Sequence, residues 1–600
     1  MSDASRNSVW ARAFMEELAR AGVTDVCLAP GSRSAPLVLA AARQGRLRVR
    51  VFLDERSAAF FALGLGKAGG RPAAVVTTSG TAAANLLPAV VEASQAETPL
   101  LLLTADRPHR LRDSDANQAI DQVRLFGGYV RAFFEVAPPV VRGPELRHLR
   151  GLAARAVAAA VGLPAGPVHL NFPFDKPLEP VAVEGDVPAG FAEEHPRAWR
   201  GREGERPFVR VGRRRPVPSG EEMDALVELV EGSPRGVIVA GPSPEPDRLG
   251  DAVLRAAAAT GFPVLADPLS GARFHPAGAT VVSGAYDLFL RHGEIAARLA
   301  PELVLRVGQS PTSAALLRWL EEQAEARQVV IDPGERWKDH LAVATDYLRA
   351  DPAEALERLT ERVKHRGFDA WRILWRRVEE RAREVAREHL GRSFFEGSVA
   401  AEVVGAIPAG GTLFVSSSMP VRDLDAFAPP REEPVRVLGN RGASGIDGVV
   451  STALGASAAS GRPLVALLGD LALLHDVNGL LATREPDAGV VFVVIHNDGG
   501  GIFHLLPIRE YEPEFTRFFA TPHGLDLSHA AALYGVPYER TDGREAFTLA
   551  LRAALGEAAS GRSRIVEVAS DGEENRRAHE AVHAAVGEAL DETFVEGARG

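Results

Sequence analysis

The sequence lacks the features of a secreted or membrane-spanning protein. Cysteine occurs once in 600 residues, as Cys27, so no intrachain disulfide can form and a reducing compartment is expected. No stretch of about 18 consecutive apolar residues is present, as a membrane-spanning helix would need. Charged side chains interrupt the N-terminal segment where a signal peptide would have its apolar core. We therefore expect a cytoplasmic protein without a membrane span.

An excess of basic residues is also missing. The net charge is −11, which argues against nucleic acid as a partner. Hydrophobic residues make up 46% and charged residues 24%, the balance of an ordinary globular protein. Because 600 residues exceed what one hydrophobic core can hold, the chain is expected to form several domains.

What the sequence does contain is a repeated alternation of short apolar runs and helical patterns, which predicts parallel sheets with helices on both faces. Apolar runs typical of buried strands lie at 25–29, 50–54, 73–78, 100–105, 168–172, 236–241, 263–267, 303–308, 328–332, 412–417, 435–439, 463–470, 489–498 and 563–570. The predicted class is α/β with three tandem doubly wound parallel-sheet domains. We expect these domains at 1–180, 221–365 and 393–600, with a linker at 181–220 and a connecting helix at 366–392.

The third domain carries the strongest chemical pattern. Gly469 and Asp470 end one predicted strand, and the turn 497–500 ends the next, with Asn497 27 positions after Asp470. A helix is predicted between them at 471–485, so both strand ends can lie at one sheet edge. A carboxylate, an amide oxygen and a turn carbonyl are hard oxygen ligands that suit Mg²⁺ beside a diphosphate. Either turn alone would be unremarkable, but together they match the thiamine-diphosphate signature.

A carboxylic acid in the first domain fits the same cofactor, which is activated by an acid beside N1′ of its pyrimidine. Glu55 follows a predicted strand and opens a predicted helix, and residues 77–90 form the next strand-to-helix turn. In isolation, Glu55 would be interpreted as a residue that stabilises a helix N-terminus. The metal pattern downstream favours the catalytic interpretation.

Several motifs resemble one family closely. They are PGSRSAPL (30–37), DERSAAFFALG (54–64), TADRP (104–108), ANQAI (116–120), NRGASGIDGVVSTALG (440–455), GD (469–470) and NDGGGIFHLLP (497–507). These motifs are similar to those of the 2-succinyl-5-enolpyruvyl-6-hydroxy-3-cyclohexene-1-carboxylate synthases of menaquinone biosynthesis. The resemblance spans residues 1–180 and 393–575 and is weak between them.

The resemblance implies a thiamine-diphosphate-dependent transferase that also uses Mg²⁺, with Mn²⁺ as an alternative. The enzyme would decarboxylate 2-oxoglutarate and add the succinyl unit to isochorismate. The first domain would bind the pyrimidine and the third the diphosphate, in the thiamine-diphosphate-binding fold. A homodimer or homotetramer would form the active sites at its subunit interfaces.

The resemblance also assigns residues to the cofactor, the metal and the two substrates. Those implied at the cofactor are Glu55, Ser418, Met419, Ile446, Gly469, Asp470, Leu471, Asn497, Ile502 and Phe503, with Asp470, Asn497 and Gly499 at the metal. Those implied at the substrates are Ser32, Arg33, Arg107, Asn117, Gln118, Ser418, Arg422, Arg441, Phe503 and Leu506. Ser418, Arg422 and Arg441 would meet the succinyl side, and Ser32, Arg33, Asn117 and Gln118 the isochorismate side. Arginine suits substrates that carry two carboxylates each, because it binds a carboxylate in a bidentate manner.

The sequence departs from the family pattern at two places. Ala314 and Ala315 stand where relatives usually carry a lysine, and Arg273 is one candidate to replace that cation. His496 stands where many relatives carry an asparagine.

Three alternatives stay open at this point. The chain can be another thiamine-diphosphate enzyme, such as an acetolactate synthase or an oxalyl-coenzyme A decarboxylase. Tandem doubly wound domains also bind NAD or FAD, although no G-x-G-x-x-G motif follows the first predicted strand. A non-catalytic protein that retains the fold is disfavoured by the presence of Glu55, Asp470 and Asn497.

Overall fold

The computed structural model describes residues 5–212, 214–278, 281–334, 336–364 and 370–597. Residues 366–369 of the predicted connecting helix lie outside these ranges, as do the first four and last three residues of the predicted terminal domains. Three six-stranded sheets occur in the described part, and every pair of neighbouring strands in them is parallel. The predicted α/β class with three parallel sheets is confirmed.

The first sheet has the strand order β2-β1-β3-β4-β6-β5. Its strands are β1 (Asp25–Leu28), β2 (Arg48–Val51), β3 (Ala73–Thr77), β4 (Leu100–Asp106), β5 (Ala132–Glu135) and β6 (Pro167–Pro173).

The second sheet has the order β12-β11-β10-β7-β8-β9. It is formed by β7 (Gly236–Ala240), β8 (Val264–Ala266), β9 (Val282–Ser283), β10 (Leu303–Val307), β11 (Arg327–Ile331) and β12 (Asp346–Leu348).

The third sheet has the order β14-β13-β15-β16-β18-β17. Its members are β13 (Gly411–Val415), β14 (Val435–Gly439), β15 (Leu464–Gly469), β16 (Val490–His496), β17 (Tyr538–Thr541) and β18 (Arg564–Ala569).

Helices connect the strands. Those of the first 214 residues are α1 (Arg6–Arg20), α2 (Ala35–Arg43), α3 (Glu55–Gly69), α4 (Thr81–Ala84), α5 (Leu87–Gln95), α6 (Gly143–Ala160), α7 (Phe191–Glu194) and α8 (Pro196–Arg200). Those of the middle region are α9 (Gly220–Gly232), α10 (Pro246–Thr260), α11 (Tyr286–Phe289), α12 (Gly293–Arg298), α13 (Ala314–Glu322), α14 (Pro352–Arg362) and α15 (Ala370–Arg392). The C-terminal region has α16 (Glu396–Ala406), α17 (Met419–Phe427), α18 (Val449–Ser460), α19 (Asp470–His475), α20 (Ser528–Tyr534), α21 (Arg544–Ala558) and α22 (Gly572–Gly597).

Short irregular helices complete the chain. The 3₁₀ helices span His109–Leu111, Gly127–Tyr129, Glu203–Glu205, Pro276–Gly278, Val477–Arg484, Gly501–Leu505 and Pro507–Glu510, and a π-helical turn spans Thr516–Ala520. In the described part of the chain, no helix combines the length and the apolar composition that crossing a membrane requires.

The strands that the sequence did not predict all lie at sheet edges. They are β5, β9, β12 and β17. An edge strand is covered on fewer sides, so its residues need not form a continuous apolar run. All four residues of β5 are only partly buried, and β9 and β12 have two and three residues. The prediction at 50–54 is also displaced, because β2 is a half-exposed edge strand that begins at Arg48.

The prediction of one helix at 471–485 is wrong, because the structure has two short helices there. α19 ends at His475, and a 3₁₀ helix follows from Val477 to Arg484. Asp476 separates them and is fully buried, with its carboxylate accepting hydrogen bonds from the N–H of Ser451 at 2.7 Å and from the Ser451 hydroxyl at 3.0 Å. This buried contact holds the backbone of Asp476 out of the helix, with φ at −130°.

The chain divides into two compact units. The first comprises Met1–Arg214, Asn440–Gly461 and His475–Ala488, and the second comprises Arg215–Gly439, Arg462–Leu474 and Gly489–Gly600. The first unit therefore contains the first sheet together with α18, and the second contains the other two sheets. Within the first unit, α3 and α18 cross at glycines: a Cβ on Gly64 would lie 2.1 Å from the carbonyl oxygen of Thr452.

One core cluster of the second unit packs residues of the second sheet against α15, α17 and α22. α15 carries a buried apolar stripe formed by Trp371, Trp375, Val378 and Ala382. The rings of Trp319 and Trp375 meet edge to face, with centroids 5.9 Å apart.

A buried polar network lies between β4 and β6 of the first unit. The ring Nε2 of His169 is 2.7 Å from the hydroxyl of Thr104, which donates to the amide oxygen of Asn171 at 2.9 Å. Because the hydroxyl proton is used in that bond, Nε2 of His169 carries the ring proton and donates it to the Thr104 hydroxyl oxygen. Nδ1 has no hydrogen-bond partner among the described residues, and burial lowers the pKa of His169 to about 3.

Candidate active site

The predicted metal residues of the second unit lie at the ends of neighbouring strands. β15 pairs with β16 in parallel, with Gly469 opposite Ile495, so Asp470 and Asn497 follow the same sheet edge. Asp470 is 2% exposed. Its carboxylate accepts a hydrogen bond from the N–H of Leu471 at 2.6 Å and another from the N–H of Gly499 at 3.0 Å.

The turn after β16 requires glycine. Asp498 has φ at 61° and Gly499 has φ at 145°. A Cβ on Gly499 would lie 2.0 Å from the carbonyl oxygen of Ala520, to which the N–H of Gly500 donates at 2.7 Å. This close approach brings the segment at Ala520 to the turn and holds the turn against Asp470.

The oxygen atoms at this strand edge fit a divalent cation. The amide oxygen of Asn497 is buried without a hydrogen-bond partner in the described residues. Burial raises the pKa of Asp470, and the backbone donors of Leu471 and Gly499 oppose that effect. A buried carboxylate and an amide oxygen without a hydrogen-bond partner favour a positive charge beside them. A hard cation such as Mg²⁺ would provide that charge.

Two histidines adjoin Asp470, and sequence reasoning missed one of them. The Nε2 atom of His523 is 3.3 Å from the Asp470 carboxylate, and its ring stacks on His496 with centroids 5.3 Å apart. His496 is held by Glu567 at 2.9 Å, and this hydrogen bond raises the pKa of His496. Ligand atoms of Asp470, His496 and His523 lie within 4.8 Å of one another. His523 belongs to a loop with no local motif, so only the fold could bring it here.

Ser418 has a strained backbone at the start of α17. Its φ is 74° and its ψ is −132°, values that L-residues rarely adopt. The exposed Arg422 folds back over this turn, and its Nη1 donates to the Ser418 carbonyl at 2.6 Å. Met419 is buried. The structure therefore places the Arg422 guanidinium beside the Ser418 backbone.

The apolar residues predicted near the cofactor lie on the 3₁₀ helix after the glycine turn. Ile502 and Phe503 are partly buried, and the Phe503 ring meets that of Phe519 edge to face at 5.6 Å. Leu506 is exposed. These side chains provide an apolar surface next to the strand edge.

Glu55 of the first unit is the first residue of α3. The helix is capped by Asp54, whose carboxylate accepts hydrogen bonds from the N–H groups of Arg56 and Ser57 at 2.9 and 3.3 Å. The side chain of Glu55 is half-buried and forms neither a hydrogen bond nor an ion pair in the described part of the chain. Since Asp54 already performs the capping role, the helix does not need Glu55 for that purpose.

Two buried arginines of the first unit lack acidic partners. Arg33 follows β1, is 7% exposed and donates to the carbonyl of Phe174 at 2.8 Å. Arg107 follows β4 and donates twice to the carbonyl of Asn117, at 3.0 and 2.6 Å. Neither forms an ion pair with a described residue. Burial, and then the charge of Arg107, lowers the pKa of Arg33, while the charges of Asp175 and Asp106 oppose this effect. Because neither arginine is engaged in an ion pair with another described residue, both can bind an anionic ligand.

The polar residues predicted beside these arginines lie on the same loops. Gln118 has φ at 57° and exchanges hydrogen bonds with Ser79, at 2.8 and 2.9 Å. Asn117, Gln118 and Ser32 are exposed. The structure connects Asn117 directly to Arg107 through its carbonyl.

Arg441 and Ile446 belong to the first unit and are half-buried. Their glycine-rich loop is anchored by Glu92, which accepts hydrogen bonds from the N–H groups of Gly442 and Ala443 at 3.1 and 2.7 Å. Ser418 and Arg422 belong to the second unit.

Arg273 does not replace the family's lysine. It is fully buried in the second unit, where its Nη1 donates to the carboxylate of Asp425 at 2.7 Å and its Nη2 donates to the carbonyls of Gly284 and Asp425. A guanidinium committed to a buried ion pair is not available to a substrate. Ala314 is the exposed first residue of α13.

Comparison with protein families matches three thiamine pyrophosphate enzyme models in succession. They are the N-terminal TPP binding domain at residues 9–125, the middle domain at 197–415 and the C-terminal TPP binding domain at 424–568.

Curated relatives match nearly the whole chain. The 2-succinyl-5-enolpyruvyl-6-hydroxy-3-cyclohexene-1-carboxylate synthase of Halobacterium salinarum is 48% identical, covering 97% of this chain and 98% of the relative. The synthase of the same name from Geobacillus kaustophilus is 43% identical, covering 95% and 96%. Among solved structures, the thiamine diphosphate-dependent 4-hydroxybenzoylformate decarboxylase of Rhodococcus jostii superposes with a TM-score of 0.70 at 18% identity, covering 94% and 99%. That last likeness shows the fold alone.

Proposed function

We propose that this chain, which belongs to the 2-succinyl-5-enolpyruvyl-6-hydroxy-3-cyclohexene-1-carboxylate synthase family of thiamine pyrophosphate enzymes, decarboxylates 2-oxoglutarate and adds the succinyl unit to isochorismate. The observation that carries the choice of substrates is the pair of buried arginines, Arg33 and Arg107, without acidic partners. A substrate with several carboxylates supplies the missing charge.

The residues of the second unit hold the cofactor's diphosphate end. Asp470, Asn497 and the carbonyl of Gly499 bind a divalent cation, Mg²⁺ or Mn²⁺, and Gly469 and Leu471 flank them. The unpartnered Asn497 oxygen and the raised pKa of Asp470 support this assignment. When bound, thiamine diphosphate supplies an electron sink for loss of carbon dioxide and for transfer of the remaining fragment.

The remaining assigned residues hold the reacting groups and exclude water. The Glu55 carboxyl holds the proton shared with N1′ of the pyrimidine, and Ile446 supports the cofactor. Ile502, Phe503 and Leu506 line an apolar wall, which favours loss of a carboxylate, and Ser418 and Met419 contact the cofactor. Arg422 and Arg441 bind the carboxylates of 2-oxoglutarate, and Ser32, Arg33, Arg107, Asn117 and Gln118 bind isochorismate.

We also propose that the protein is a cytoplasmic homodimer or homotetramer whose active sites form between copies. Exposed apolar side chains beside each half of the site support this arrangement. Val51 and Leu53 precede Glu55 in the first unit, and Leu505 and Leu506 follow Phe503 in the second. Apolar surface of this kind is typical of a subunit interface. We further propose that each copy is divided into domains at 1–180, 221–365 and 393–600.

A mixture of two inactive variants tests the interface. Glu55→Gln and Asp470→Ala each disable every site of their own homo-oligomer. If sites form between copies, a hybrid contains one site with both residues intact, and activity reappears after the variants are unfolded together and refolded. Activity that stays absent in mixtures whose hybrids are confirmed by native mass spectrometry would place each site within one copy.

The substrate choice is tested by carbon dioxide release. The protein with thiamine diphosphate and Mg²⁺ should release carbon dioxide from 2-oxoglutarate much faster than from pyruvate, which has a single carboxylate. A preference for pyruvate would favour an acetolactate synthase-like activity instead.

A further inference from the structure

The amide of Asn497 is held from one side by a buried carboxylate that no sequence motif singled out. Nδ2 of Asn497 donates to Oε1 of Glu396 at 2.9 Å. Glu396 is 1% exposed and is the first residue of α16. The same oxygen, Oε1, accepts the hydroxyl hydrogen bond of Ser570 at 2.9 Å.

This contact determines which end of the amide faces the strand edge. Oε1 of Glu396 accepts from both Asn497 and Ser570, so the NH₂ end of Asn497 is the end that faces Glu396. The opposite end, Oδ1, is therefore directed away from Glu396, and it is the buried oxygen without a described partner. If the amide turned over, two oxygens would face each other in a buried environment at a large cost in free energy.

Glu396 is itself anchored on two elements of the third sheet region. It begins α16, and Ser570 follows β18 directly, with the Ser570 N–H donating to the His496 carbonyl at 2.9 Å. Asn497, Ser570 and Glu396 therefore form one hydrogen-bonded group next to Asp470. Such partners behind a metal ligand orient it, and their loss typically weakens metal binding about 10- to 100-fold.

We infer that Glu396 is a positioning residue for the metal site: it fixes the Asn497 amide so that Oδ1 faces the divalent cation. This inference rests on the proposed role of Asn497 as a metal ligand. Glu396→Met keeps the approximate size of the side chain and removes both oxygens that can accept from Nδ2 of Asn497. The Asn497 amide would lose its fixed orientation, and the cation would bind more weakly.

Mn²⁺ titration tests the inference without any measurement of catalysis. The free ion is followed by electron paramagnetic resonance, with saturating thiamine diphosphate and Mn²⁺ concentrations up to the millimolar range. We expect Glu396→Met to raise the Mn²⁺ dissociation constant about 10- to 100-fold, with little change in the melting transition of the metal-free protein. Glu402→Met, on the same helix but at a residue bonded to Arg544 and Thr548, is the matched control and should bind Mn²⁺ like the wild type.

A double substitution shows whether Glu396 acts through Asn497. With Asn497→Ala already present, Glu396→Met should cause no further loss of Mn²⁺ affinity, because the positioned group is gone. A further loss, or wild-type affinity in Glu396→Met alone, would overturn the inference. If Asn497→Ala itself binds Mn²⁺ normally, the proposed metal role of Asn497 is what fails.

Discussion

The substitution Arg33→Met separates a functional role of a buried arginine from a structural one. Arg33 is buried, donates one hydrogen bond to the carbonyl of Phe174, and has no acidic partner among the described residues. Methionine keeps much of the apolar stem and removes the charge. Losing the hydrogen bond costs about 1 kcal/mol, but removing an unpaired buried charge offsets that loss. We therefore expect the melting transition of the variant to change little.

The effect on catalysis should be large. If Arg33 meets a substrate carboxylate in a buried site, breaking that pair costs about 3–5 kcal/mol. This corresponds to a fall of about 10²- to 4 × 10³-fold in kcat/KM for isochorismate, since about 1.4 kcal/mol is tenfold. Steady-state kinetics with isochorismate as the varied substrate measures the fall.

Arg150 provides the matched control in the same unit. It is fully buried and paired with Glu17 and Glu16, each at 2.9 Å. Arg150→Met breaks both ion pairs and leaves the fully buried Glu17 with Arg20 as its remaining cation and Glu16 with Arg12. It should therefore destabilise the protein by about 3 kcal/mol and lower the melting transition by several degrees. A large destabilisation by Arg33→Met, or unchanged kinetics in that variant, would refute the reasoning.

Three further substitutions have expected outcomes. Glu55→Gln should slow exchange of the cofactor's C2 proton for deuterium, followed by NMR, by about 10²- to 10⁴-fold, and unchanged exchange would contradict its role. Arg422 is exposed, so Arg422→Met should lower kcat/KM for 2-oxoglutarate a few hundred-fold, by about 3 kcal/mol, if the bound substrate buries the ion pair. It should leave 2-oxobutyrate almost unaffected, and an equal fall for both substrates would assign Arg422 to structure. His169→Gln tests pH dependence. The native pKa of His169, about 3, lies below the unfolded value of 6.5. Between these two pH values the unfolded state binds a proton that the native state does not bind. The free energy of unfolding therefore falls as pH drops from 6.5 towards 3, by about 1.4 kcal/mol per pH unit. Urea denaturation at pH 7 and pH 5 should show a smaller loss in the variant, and an equal loss would contradict the assignment.

The strands that sequence patterns predicted are those whose burial is continuous. Buried parallel strands such as β4 and β16 need apolar residues at every position, and that requirement is visible in the sequence. The edge strands β5 and β17 are half-covered, so their composition resembles that of loops. The break at Asp476 depends on a partner, Ser451, that is distant in sequence, and no local pattern indicates it.

The site was predictable where a motif carries the chemistry and not where tertiary packing does. Asp470, Asn497 and Glu55 stand at strand ends, and the sequence alone indicated those positions. Glu396 and His523 reach the same strand edge from a helix and a loop with no recognisable motif. Conversely, the charge of Arg273 suggested a substrate contact, but the structure shows a core ion pair with Asp425.

Mass spectrometry of the reaction product tests the central claim most directly. The protein would be incubated with isochorismate, 2-oxoglutarate, thiamine diphosphate and Mg²⁺, with Glu55→Gln protein as the matched control. We predict a product whose mass equals that of isochorismate plus 2-oxoglutarate minus carbon dioxide, formed by the wild type and almost absent with the variant. Release of carbon dioxide from 2-oxoglutarate without this adduct, or no turnover of either substrate by correctly folded protein, would contradict the account.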